Sequence, residues 1–113
     1  MIGEVLAELS EERNTETVEA IWSALPIKGK VNTWGNEVFV PIGVKGKMED
    51  CKQVVEKGDI GYWPAGDAFC IFFGRSPTSV FFNPVNIIGR VLLDAEVFKK
   101  VRQGQEITIS KAE

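Results

Sequence analysis

At 113 residues, with 44% hydrophobic and 26% charged side chains, the chain reads as a single domain over residues 1–113 that can bury a core without staples. A net charge of −3 withholds the broad attraction that binds nucleic acid or an anionic membrane, and no apolar run nears the roughly 18 residues that cross a bilayer. Histidine is absent, which excludes Ser-His and Cys-His nucleophile pairs, a histidine base and mixed Cys/His zinc sites.

The N-terminal run IGEVLAEL alternates, with Val5, Ala7 and Leu9 on one face, and predicts a half-buried strand. In TETVEAIWSALP, Val18, Ile21, Trp22 and Leu25 fall at i, i+3, i+4 and i+7 and predict a helix. Asn14 or Thr15 is expected to cap it and Pro26 to end it. Lys28-Gly29 and Trp34-Gly35-Asn36 carry turn signals, after which EVFVPIGV places Val38, Val40, Ile42 and Val44 on one strand face. Pro41 cannot donate to a ladder, so it marks an edge, a bulge or a bend. Residues 45–53 read as a charged loop or strand rim leading to a short strand at Val54-Val55.

Residues 58–74, GDIGYWPAGDAFCIFFG, carry the strongest signal and are expected to be the most buried stretch. Gly58-Asp59 opens a hairpin of Ile60–Trp63 and Phe69–Phe73 around a Pro-Ala-Gly-Asp bend. RSPTSVFFNP is a two-proline loop long enough to wall a groove, and VNIIGRVLL is a buried strand with Gly89 at a bend or close approach. Asp94 caps a second helix, AEVFKKVRQ, which stops at Gly104 before a last strand, EITIS. Nearly every strand has an apolar face, and a closed or nearly closed β-barrel with two helices at its ends buries all of them. An open α+β sheet is the alternative.

Several stretches resemble the cyclophilin-like barrel. TETVEAIWSALP is similar to the first cyclophilin helix, WPAGDAFCIFF to an Asn-Ala-Gly stretch running into a strand that ends in Phe-Phe, and VNIIGRV with LDAEVFKKVRQG to a Val-Phe-Gly-Arg-Val strand and its following helix. VNTWG, GDIGYWPAG, CIFFG and NPVNIIGR resemble, more closely, a prokaryotic and archaeal group of cyclophilin-like proteins of uncharacterised function. The resemblance implies a mostly β fold, a closed barrel of about eight strands capped by two helices. In true cyclophilins it implies an arginine that donates to the twisted X-Pro amide, whose rotation barrier is roughly 20 kcal/mol. Here no arginine lies between Arg13 and Arg75, and FVPIGV lacks the Met and Gln of the Phe-x-Met-x-Gln pattern. An efficient prolyl isomerase is therefore not expected.

The expected function is binding of a small molecule or proline-containing peptide in an aromatic groove formed by Trp34, Phe39, Tyr62, Trp63 and Phe72, with Asn36 and Asn86 as polar contacts. For each aromatic the competing reading is core, and for each asparagine it is a satisfied turn. Two alternatives are a weak isomerase using backbone N–H groups or Lys45, and an interaction module or enzyme subunit whose groove takes a partner or a second copy of the chain. Asp59 and Asp67 read as turn residues, Glu49 and Asp50 point to opposite faces of an extended strand, and GVKG lacks the rest of a phosphate loop. No metal, cofactor, nucleic acid or membrane is expected. Cys51 and Cys70, without CxxC spacing, read as reduced structural thiols of a cytoplasmic protein.

Overall fold

The alternating apolar runs of the sequence pair chiefly into one antiparallel sheet. The structure is a computed structural model and describes residues 4–47, 49–52, 55–74, 85–92 and 94–112. In chain order the elements are β1 (Ala7–Leu9), α1 (Thr15–Ala24), β2 (Ile27–Lys30), β3 (Asn32–Trp34), β4 (Glu37–Pro41), β5 (Cys51–Lys52), β6 (Asp59–Trp63), β7 (Ala68–Phe72), β8 (Val85–Val91) and β9 (Glu106–Ile109). Short 3-10 segments occupy Pro64–Gly66 and Ala95–Lys100.

The main sheet runs β1-β8-β6-β7-β4-β3, with β5 also on β8, and β2 pairs separately with β9. Among the described residues this pairing forms a sheet and a separate two-stranded pair and does not close into a ring. The pair lies face-on to the sheet instead of extending it: a Cβ on Gly29 would stand 3.1 Å from Val40 Cγ1. That contact also corrects the turn expected at Lys28-Gly29, which is strand β2; glycine is there for close approach.

The centre of the sheet is the hairpin β6–β7, and it is as buried as its sequence predicts, with Gly58, Ile60, Gly61, Tyr62 and all of β7 buried. Asp67, at φ 50°, turns the chain after the 3-10 segment and donates its amide to Pro64. Gly89 does mark a close approach, since a Cβ there would overlap the Glu8 carbonyl across the β1–β8 ladder. Asp94 caps the segment that follows β8 by accepting from the Glu96 amide at 3.0 Å. That segment is a six-residue 3-10 helix, shorter than the helix expected, and it buries Ala95 and Phe98.

The sheet has two apolar faces. Val38, Val40, Ile60, Tyr62, Phe69, Ile71 and Ile88 face a large core completed by Val18 and Ile21 of α1, Ile27 and Val31 beside β9, and Phe98. Trp22, expected in the α1 stripe, is 47% exposed and lies under the Lys111 ammonium, 4.8 Å from the ring centroid. On the opposite face Val55, Ala68, Cys70, Phe72 and Val85 form a second, smaller core flanked by Phe39, Trp63 and Ile87. A strand forms at Cys51–Lys52 (β5); Val54 of the strand expected at Val54-Val55 lies outside the described residues, as do residues 75–84, where a loop is expected.

Candidate functional site

Strand parity decides which expected site residues meet. Register across β4, β7 and β6 aligns Phe39 with Cys70 and Gly61, and Pro41 with Ala68 and Trp63. Side chains alternate along each strand, so Phe39, Trp63 and Phe72 share the face of the smaller core. The rings of Phe39 and Trp63 meet edge to face, 5.9 Å between centroids at 89°. The Trp63 indole also lies flat against Gly66, where a Cβ would overlap it. Its buried Nε1 proton has no acceptor among the described residues. A buried donor without a partner costs roughly 1–3 kcal/mol.

The other four are placed elsewhere. Tyr62 faces the large core, and its hydroxyl pins the 44–46 segment: it accepts from the Gly46 amide at 2.8 Å, with Val44 O at 2.9 Å and Asp67 Oδ1 at 3.0 Å as acceptors for its proton. Burial, then the bond to Asp67, raises its pKa. Trp34 lies at the end of β3, 48% exposed. Asn36 is in the β3–β4 turn, where its carbonyl accepts from Phe73 N.

Asn86 is fully buried, and every bonding position of its amide is used. Its Oδ1 accepts from the Glu49 amide (3.0 Å) and the Cys51 thiol (2.9 Å), while its Nδ2 donates to Thr17 Oγ1 (2.9 Å) and Lys47 O (3.0 Å). Asn14, also fully buried, accepts from the Asp50 amide at 2.7 Å and donates to Ile87 O at 2.8 Å. It holds the N-cap position of α1 but does not cap. The cap comes from Glu49, whose carboxylate accepts from the Thr17 hydroxyl (2.8 Å) and the Thr17 and Glu16 amides (3.0 and 3.3 Å). Desolvation alone would raise the Glu49 pKa, but these bonds outweigh it and hold the carboxyl below its usual value. This clasp fixes Lys47 and residues 49–51 to α1 and β8.

One residue that sequence reasoning passed over stands out. Glu37 opens β4 opposite Phe72, on the Phe39 face, and is 6% exposed. Its carboxyl has no hydrogen-bond or ion-pair partner among the described residues, and burial alone raises its pKa to about 7. The signal was available: in EVFVP, Glu37 shares parity with Phe39. Burial and then the Glu37 charge push the Cys70 thiol well above its ordinary value, which leaves it a packed, unreactive group. No cluster of His, Cys, Asp and Glu able to hold a metal occurs among the described residues.

The large core offers no alternative site. A void lined by Val31, Val38, Phe39, Val40, Ile71 and Ile107 among others amounts to about 10 Å³ and is apolar. That is at most one water's space, in surroundings that give water no partners.

The chain is mostly β and belongs to the cyclophilin-like family, whose model matches residues 2–110. It is similar to a hypothetical protein from Archaeoglobus fulgidus, whose solution structure aligns at a TM-score of 0.79 and 40% identity, covering 96% of this chain and 87% of that one. No curated protein matches the chain. Among the described residues, no helix is long and apolar enough to cross a membrane.

Proposed function

We propose that this protein binds a small molecule or short peptide on the sheet face that carries Phe39 and Trp63, and that it is not an efficient prolyl isomerase. The observation that carries this reading is the Trp63 indole, held between Phe39 and Gly66 with its buried N–H unanswered. A packed aromatic pair gives a ligand apolar contact, and an unpaired donor beside it gives orientation, the usual division of labour in a binding site. Phe72, completely buried on the same face, backs the site. Tyr62 and Asn86 serve it from behind by fixing the 44–51 segment. Isomerisation has less support, because stabilising a twisted amide needs an aimed donor, and Trp63 offers one neutral N–H where an arginine would offer several charge-assisted ones.

The test is an amide and indole NMR titration with Ala-X-Pro-X peptides and a set of small aromatic amides. Saturable shifts of the Trp63 indole N–H and the Phe39 amide are expected, without exchange cross-peaks between cis and trans peptide. Probes that leave both signals unmoved would sink the binding reading, and protein-dependent exchange cross-peaks would restore the isomerase.

A further inference from the structure

The second unanswered polar group on this face is the Glu37 carboxyl. Glu37 and Phe39 are two residues apart on β4 and point the same way, about 7 Å along the strand. Trp63 touches Phe39 from the other side. The face thus presents, in a row, a buried carboxyl, an aromatic ring and a buried indole N–H. What surrounds the carboxyl is apolar: Phe72 stands directly across, Cys70 is diagonal to it with a thiol kept neutral, and none of the ion pairs among the described residues reaches it.

Resting on the binding reading above, we propose that the ligand is a small organic cation, an ammonium or amidinium on an apolar body, with its charge on Glu37 and its body over Phe39 and Trp63. A buried carboxylate is costly without a counter-charge, and a ligand cation would supply the one that the described residues do not. Aromatic faces add to the attraction for a desolvated cation. The indole N–H is then left for an oxygen elsewhere on the ligand. The carboxyl's upward displacement to about 7 fits a group that ionises readily only when a cation arrives. A structural glutamate would instead be expected to carry partners, as Glu49 does.

Benzamidine, with benzyl alcohol as its neutral counterpart, tests the assignment in the whole protein and in Glu37→Gln. Benzamidine is expected to shift the Trp63 indole and the Glu37 and Phe39 amides saturably, and to bind Glu37→Gln at least tenfold more weakly, while benzyl alcohol binds both proteins alike. An independent readout on the unmodified protein is the Glu37 carboxyl carbon, whose titration midpoint is expected to fall when benzamidine is added. Equal benzamidine binding by both proteins, or an unmoved midpoint, overturns the cation assignment. If benzyl alcohol alone moves the indole, the cation is wrong and the aromatic site stands. If neither probe moves it, the cation assignment fails, and the binding reading is decided by the peptide and aromatic-amide titration.

Discussion

Two sets of buried polar groups lie in this molecule, and they are treated in opposite ways. In the clasp of Asn14, Thr17, Glu49 and Asn86, each buried donor and acceptor meets another, across elements as much as 73 residues apart. On the Phe39 face, Glu37 and the Trp63 N–H are buried and meet nothing among the described residues. Both arrangements remove polar groups from water, but only the first recovers the cost within the chain. A completed network specifies a fold, whereas an uncompleted one leaves energy that a ligand can recover.

The largest effect expected from breaking this contrast is in the clasp. Asn86→Ala deletes four hydrogen bonds and strands the part-buried Glu49 amide and Lys47 carbonyl. A loss of about 3 kcal/mol in urea unfolding is expected, with residues 47–51 losing hydrogen-exchange protection first. A loss under about 1 kcal/mol would mean that the network contributes little beyond packing.

Glu37→Gln should act in the other direction. With the carboxyl at about 7 in the folded state against 4.5 in the unfolded, the folded protein holds the extra proton between those values. Stability from this group is therefore complete below about pH 4.5 and is lost as pH rises through 7. The variant, which cannot ionise, should match the parent near pH 4.5 and exceed it by about 2 kcal/mol at pH 8, the roughly 3 kcal/mol of the full shift being reduced by solvent screening, as read from paired denaturation curves. Greater stability with a lost ligand is the pattern expected of a functional residue kept at a cost. A gap between variant and parent no larger at pH 8 than at pH 4.5 would show that the carboxyl is solvated after all.

The contrast also explains what could be read from the sequence. The β6–β7 hairpin was legible because its turn residues, alternation and apolar density agree locally, and α1 because its stripe has the helical period. The cap of α1 was not, because Glu49 lies some 33 residues from the amides that it receives. Asn14 carries the sequence signature of a cap yet spends its side chain on Ile87 and Asp50. Of the expected site residues, Phe39, Trp63 and Phe72 share a face through parity alone, while Tyr62 falls on the other because one residue along a strand reverses the side chain. The pairing of β2 with β9, in which Lys28 faces Thr108 80 residues further on, is set by no local signal.

The smallest effect separates the two glutamates by the sign of their pH dependence. Glu49 is held below its usual pKa by bonds to the start of α1, so its contribution is present above the unfolded value of 4.5 and is lost as pH falls through its lower folded value. Glu37 acts above pH 4.5 with the opposite slope. Glu49→Gln keeps the size of the side chain but weakens acceptance from the Thr17 and Glu16 amides, and should lower stability at pH 7 by less than Asn86→Ala does. Below pH 4 the gap between parent and variant should narrow as the parent's carboxyl takes up its proton. Glu96, held at about 2 by Lys57 and Lys99, titrates in the same acid range in both proteins and cancels from that difference. Thermal unfolding of the pair from pH 3 to 7 measures the gap. A gap that stays constant would mean that α1 is capped by geometry and not by the Glu49 charge, and the clasp would then differ from the Phe39 face in packing alone.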